Sequence, residues 1–527
     1  MDNFSFSQIV RKPAVVSTRG VVASQHRRAA EVGASVLARG GDAVDAAVAT
    51  SFALGVLEPW MSGPGGGGAM VIHRAREGRS WAVDFGLRAP ARLDPADYPL
   101  SGSGISSDLF PWPAVVEERN AVGASAIAVP GTVDGMRVAH EAFGTKPWRE
   151  LVMPAAELAA EGLRVDWYAA LIIASATRAL AANECAAATF LDEGRWPPVS
   201  SWTALEQKRL DLSRLASTLR RLAERGPREF YEGELARGIA RDVRRAGGSL
   251  AEEDLAGYRA RLVEPRAIPY RGGTLHAAAE LTAGPTLAHA LALLSARALG
   301  GGGRPDGNAY LAYADALETA YGWRLAHMGD VEGGRAGPSC TTHFGIVDRH
   351  GNICAVTQTL LSIFGSKVVL PESGLLMNNG ILWFDPEPGK PNSLAAGKRC
   401  LMNVCPVVGE HRGRRFALGA SGGRRIMPAV LQLVSFLVDY GMSLEEAFHH
   451  PRIDSSGGDT VIADPTLPEE VRETLARRFK LVQGRRSVFP YLFACPAGVL
   501  RSGDTNEGAT EIMSPWGDAV AEGGGSG

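Results

Sequence analysis

Two alternating stretches, Thr341 to Asp348 and Ile353 to Leu360, stand on either side of Arg349-His350-Gly351-Asn352. Alternation at period two is the mark of a strand with two unlike faces. The residues between them read as a turn, with Gly351 free to adopt positive φ. A hairpin here commits the chain to an antiparallel sheet that must pack on further layers. Phe416-Ala417-Leu418-Gly419-Ala420-Ser421 reads as another short strand. Gly422-Gly423 follows it, and a long apolar helix is expected from about Arg425 to Tyr440. Pro428 suits the first turn of that helix, where a missing N–H costs little.

The first strand opens on Ser339-Cys340-Thr341-Thr342-His343-Phe344. A half-buried strand with a threonine ladder is the plain reading of these residues. The chemical reading is a chain start hidden inside the chain. Cutting between Cys340 and Thr341 would give Thr341 a free α-amine beside its hydroxyl, and such an amine can take the hydroxyl proton. It titrates at roughly 7.7–8.0 in model compounds, so part of it is unprotonated near pH 7. Thr359 lies on the returning strand, within reach of the Thr341 hydroxyl or amine. The strand, glycine pair and helix start at Gly422 and Gly423 offer unpaired N–H groups to a developing negative charge.

The order of motifs along the chain carries a family resemblance. Gly40-Gly41-Asp42-Ala43-Val44-Asp45-Ala46-Ala47-Val48-Ala49 comes first, then Glu58-Pro59-Trp60-Met61-Ser62-Gly63-Pro64-Gly65-Gly66-Gly67-Gly68 and Ala128-Val129-Pro130-Gly131-Thr132-Val133. Thr341-Thr342-His343-Phe344, Phe364-Gly365-Ser366, Ser373-Gly374-Leu375-Leu376-Met377-Asn378-Asn379 and Ser421-Gly422-Gly423-Arg424-Arg425-Ile426 follow. Together they resemble the γ-glutamyltransferase family of N-terminal nucleophile hydrolases, over nearly the whole chain. The resemblance implies a four-layer αββα sandwich of mixed α/β (α+β) class. It implies a proenzyme that cleaves itself before Thr341 into a large subunit, 1–340, and a small subunit, 341–527. The two would stay together as a heterodimer, with a dimer of heterodimers left open. Thr341 would form the acyl-enzyme, Thr359 would support it, and the Gly422 and Gly423 amides would form the oxyanion hole. Cys340 needs no thiol role.

The departures from the family pattern bear on the substrate. The family's amine-holding acidic residue is Trp383, its Gln is Gly380 and its Asn is Leu361. Its carboxylate-gripping serines are Met402 and Asn403, and its arginine is Gly86, with Arg88 two positions on. An ammonium buried without a partner is heavily penalised. Glutathione and other γ-glutamyl compounds are therefore expected to be poor substrates. Arg88 and Asn403 can orient a carboxylate, and Trp383 and Met402 narrow the pocket. A surface ion pair is the alternative role for Arg88. The pattern leans toward a small acid amide such as oxamate, with glutaryl or cephalosporin acylase activity and true γ-glutamyl transfer as alternatives.

Length and composition fit this reading. A chain of 527 residues can bury a large core. A formal net charge of −2 implies no nucleic-acid partner, and the basic runs Arg209 to Arg221 and Arg241 to Arg245 read as solvated helix faces. The six cysteines, among them the lone pair Cys400 and Cys405, show no paired framework. His449-His450 has no metalloprotease partner, so neither metal nor cofactor is expected. Gly63, Gly65 and Gly68 match a dinucleotide fingerprint, but they lead into a strand, Ala69 to His73, and not a helix. The N-terminal segment has no secretory pattern and no stretch suits a membrane span, so a cytoplasmic protein is expected. Helices are expected at Gln25 to Arg39, Ala43 to Leu57 and Tyr310 to Met328. Pro99 to Glu117 reads as an exposed excursion, and Gly135 to Leu299 as mainly helical with a break near Gly284-Pro285. Gly333 to Ser339 reads as a linker to the cut site.

Overall fold

The structure, a computed structural model, describes residues 10–107, 110–200, 203, 208–299, 302–329, 340–456 and 459–524. The linker read at Gly333 to Ser339 lies outside them. The expected hairpin forms: Cys340–Val347 pairs antiparallel with Ile353–Leu361. It sits at the centre of a seven-stranded sheet in the order Asp518–Ala521, Val21–Ser24, Cys340–Val347, Ile353–Leu361, Gly67–Arg74, Arg79–Phe85, Arg261–Val263. A second seven-stranded sheet runs Val15–Ser17, Thr505–Thr510, Cys495–Ser502, Arg414–Ser421, Val407–His411, Gly273–Ala277, Arg266–Tyr270. Each sheet draws strands from both sides of residue 341.

Three apolar clusters define the layers. Phe344, Ile346, Cys354 and Val356 face the helices Arg27–Ala38 and Ala43–Leu57. Val347, Ile353 and Ala355 point the other way, onto Ala417 and Val499 of the second sheet. Phe416 and Leu418 then meet the helices Gly284–Ser295, Gly307–His327 and Ile426–Val438. The result is helix, sheet, sheet, helix. Both faces of the Ile353–Leu361 strand are covered, so all of its residues are buried.

The Ala43–Leu57 helix is apolar all round and wholly buried, as a helix between other layers must be. It starts on Asp42, whose carboxylate accepts from the Val44 and Asp45 amides while Asp45 reaches back to the Asp42 amide. A cap of this kind contributes about 1 kcal/mol. The glycine run ahead of the Gly67–Arg74 strand serves packing: a Cβ on Gly66 would run into the Thr359 carbonyl.

Four expectations are changed or refined. The Pro99 to Glu117 excursion is a two-stranded hairpin, Leu100–Ser107 with Phe110–Val115. The segment read as mainly helical contains the strands Arg261–Val263, Arg266–Tyr270 and Gly273–Ala277, which extend both sheets. Gly284-Pro285 opens a helix, with proline in its first turn, where its missing N–H has no intrahelical partner to lose. Arg209, read as part of a helix face, belongs to a short strand, Arg209–Leu210.

Candidate active site

Thr341 lies at an irregularity in the central ladder. Cys340 pairs with Leu361 and Thr342 with Gln358, so Thr341 opposes both Thr359 and Leu360. A bulge of this type twists a strand and re-aims its side chains. Thr341 is completely buried, and its hydroxyl has no hydrogen-bond partner. The Thr359 hydroxyl accepts from the Leu361 amide at 2.8 Å. Leu361 has φ +88°, a sparsely populated backbone state for leucine. Thr359 thus braces the strained end of the bulge, while the Thr341 oxygen stays unengaged.

Gly422 has φ +135° and Gly423 φ +65°. The 3-10 turn Gly423–Arg425 packs on the Cys340–Val347 strand and leads into the Ile426–Val438 helix. Neither glycine N–H donates a hydrogen bond among the described residues. Next to Thr342, the fully buried His343 ring bonds the Thr357 hydroxyl at 2.8 Å. Burial pushes its pKa down to about 3, so it is neutral at working pH. Across the sheet interface a Cβ on Gly419 would stand only 2.2 Å from Nδ1 of the His343 ring. Gly419→Ala is therefore expected to lower stability by about 1–3 kcal/mol, the usual effect of overpacking. A urea titration checks this.

Behind the two threonines lies a polar layer that the motifs did not disclose. Thr342 donates to Glu58 Oε2 at 2.8 Å. Gln358, its cross-strand partner, accepts from Ser51 Oγ at 2.6 Å and donates to Ser62 Oγ at 2.9 Å. Glu58 caps the C-terminal end of the Ala43–Leu57 helix. Burial pushes its pKa up to about 8, with the Thr342 hydrogen bond opposing. In the unfolded chain the group loses its proton near 4.5. The native carboxyl holds its proton across that interval, so this group makes stability fall as pH rises from 4.5 to about 8 and level off above. Glu58 stood in plain view in a quoted motif, but nothing in its neighbours marks it as buried.

The substrate-pocket candidates divide. Trp383 and Met402 are buried in the inter-sheet cluster beside Leu87. The Met402 methyl stands 2.9 Å from where a Gly86 Cβ would be. Arg88 is exposed, and its backbone bridges Val129 and Arg399. It has no ion pair among the described residues. It lines a depression of about 120 Å³ with Asp84, Gly86, Tyr258, Arg261 and Arg399. Asn403 does not line that depression; it is buried, and its Oδ1 accepts from Arg324 at 2.9 Å. An arginine partner fixes the amide orientation, leaving Asn403 Nδ2 as a buried donor without a partner.

No described helix is long and apolar enough to cross a membrane. The gamma-glutamyltranspeptidase family model matches residues 29–337 and 334–512. The acylase ACY 1 proenzyme of Pseudomonas sp. (strain SE83) is 33% identical over 90% of this chain and 89% of its own length. The glutathione hydrolase proenzyme of Escherichia coli (strain K12) is 32% identical over 87% and 83%. A cephalosporin acylase from Bacillus halodurans superposes with TM-score 0.84 at 25% identity, covering 99% of each chain. The matched motifs, the four layers and the threonine at the head of the central strand agree: this chain belongs to the gamma-glutamyltranspeptidase family of N-terminal nucleophile hydrolases.

Proposed function

We propose that this protein is a self-processing amidohydrolase that hydrolyses a small acid amide, oxamate-like in lacking an α-amine, through an ester on Thr341. The observation that carries the reading is the buried Thr341 hydroxyl, unengaged, on a strand against which the Gly423–Arg425 turn packs. In processing, the hydroxyl attacks the Cys340 carbonyl, the Thr341 nitrogen leaves as the new α-amine, and water resolves the ester. In turnover the α-amine takes the hydroxyl proton and the oxygen attacks the substrate carbonyl. The Gly422 and Gly423 amides receive the oxyanion, the leaving amine takes the proton, and water releases the acid. The sheets hold the 1–340 and 341–527 parts together after the cut, because each contains strands of both.

Substrate choice follows from the residues that stand in for the family's amine grip. Trp383, Gly380 and Leu361 are buried and uncharged. The discriminating experiment is an amide panel of oxamate, glutaryl amides, cephalosporin side chains and γ-glutamyl anilide, with amine or ammonia release measured. At least one amide without an α-amine is expected to exceed γ-glutamyl anilide in kcat/KM by about 100-fold, the scale of an unmatched polar group. A preference for γ-glutamyl anilide overturns the assignment. The acylase name of the Pseudomonas relative and the cephalosporin acylase name of the Bacillus halodurans structure support acylase activity, on cephalosporin side chains first, as the second reading. Cytoplasmic residence is part of the proposal: Cys185, Cys354, Cys400, Cys405 and Cys495 carry no disulfide, as a reducing compartment leaves them.

A further inference from the structure

The face of the central hairpin turned away from the cleft holds a buried acid that the proposed chemistry does not use. Glu58 and Thr342 are 3% and 0% exposed, and their hydrogen bond is 2.8 Å long. Successive side chains of a strand point to opposite faces. Holding Thr342 on the helical face therefore turns Thr341 toward the second sheet. The ladder alone does this poorly, because Thr341 faces the bulge at Thr359 and Leu360. Gln358 is pinned in the same way by Ser51 and Ser62. Each threonine of the site thus has an immediate neighbour tied to one buried helix or the loop that follows it.

We propose that Glu58 is a positioning residue for the nucleophile, gripping the Thr342 hydroxyl so that the bulge presents Thr341 to the glycine turn. This rests on the reading of Thr341 as the nucleophile. The groups facing Glu58 are Thr342 from the strand, Tyr168 from the Trp167–Leu180 helix and Cys495 from the second sheet. Burial raises the pKa of both the Tyr168 phenol and the Cys495 thiol, so both are neutral at working pH. Among the described residues no cation offsets an ionised Glu58, and the negative end of the helix dipole opposes its ionisation. The neutral carboxyl is the form that fits. After processing, the Thr341 α-amine stands one residue along the chain from that hydrogen bond and would feel its charge. An ionised Glu58 would favour the protonated amine and so withhold the base. The two groups titrate as a pair.

Three variants test this, each followed by denaturing electrophoresis and by kcat and KM across pH. Glu58→Ala is expected to slow self-cleavage and lower kcat at least about 10-fold with little change in KM. Glu58→Gln keeps an acceptor for Thr342, and is expected to restore most of that loss. Because glutamine cannot ionise, its rising limb should move to lower pH by about half a pH unit or more, the scale of one charge acting across a partly buried gap. Should Glu58→Ala fold poorly, Thr342→Val removes the hydroxyl at constant shape and is expected to reproduce the kcat loss. A cleaved, active parent beside fully active Glu58→Ala or Thr342→Val overturns the proposal alone, as does a Glu58→Gln limb that stays in place. A parent that is active without any cut before Thr341 overturns the nucleophile reading and this proposal with it.

Discussion

Thr341→Ala is expected to remain a single full-length chain and to lose amide turnover by at least about 10⁴-fold, since removing a nucleophile leaves only binding and oxyanion stabilisation. The variant should nevertheless fold. The Thr341 hydroxyl is buried without a partner, so its removal breaks no hydrogen bond, and deleting an unsatisfied buried polar group is neutral or favourable. The flanking anchors, Thr342 to Glu58 and His343 to Thr357, stay intact. Thr341→Ser retains the oxygen and the future amine and should keep measurable cleavage. Denaturing electrophoresis with amino-terminal sequencing reads both outcomes. The parent should give a fragment beginning Thr-Thr-His, and the alanine variant none. Cleavage of the alanine variant at the same bond would remove Thr341 as the attacking group.

The same residues show why some of this was legible in the chain and some was not. The hairpin, the strand Arg414–Ser421 and the helix Ile426–Val438 were visible because period and punctuation agree: alternation, a glycine turn, then a sustained apolar run with proline in the first turn. The strands Arg261–Val263, Arg266–Tyr270 and Gly273–Ala277 escaped because they are three to five residues long and carry arginine, proline and glycine near a sheet edge. Such segments have no period to detect. Gly284-Pro285 misled because a proline that starts a helix and one that ends it look alike until the flanking residues are placed. Thr359 was found by position, but its bond to the Leu361 amide depends on a bulge that no spacing discloses. Arg88 and Asn403 were grouped as possible carboxylate ligands, yet Asn403 is turned toward Arg324. Motif order pointed to the candidate strands; the partners of each side chain came from tertiary packing.

Gly422→Ala is expected to lower kcat by about 10²–10³-fold, the usual loss when an oxyanion donor is removed or misplaced. Self-cleavage is expected to slow with it if, as proposed, the tetrahedral intermediate at Cys340 draws on the same donors. Two observations make this position more demanding than its neighbour. Its φ of +135° lies beyond the small left-handed region that side-chain-bearing residues visit. A Cβ there would also stand 2.8 Å from the Ala494 Cα, a backbone atom that cannot swing aside. The turn must therefore rotate, and the Gly422 and Gly423 N–H groups rotate with it. Gly423, at φ +65°, is in the left-handed region proper, so Gly423→Asn should be milder: asparagine tolerates that conformation. The turn sits at the head of the Ile426–Val438 helix, whose thirteen residues are all buried, so the fold should survive a local rotation. Far-ultraviolet circular dichroism and a thermal melt separate misfolding from lost catalysis. A Gly422→Ala protein with parental kcat and parental processing would show that the oxyanion is held elsewhere.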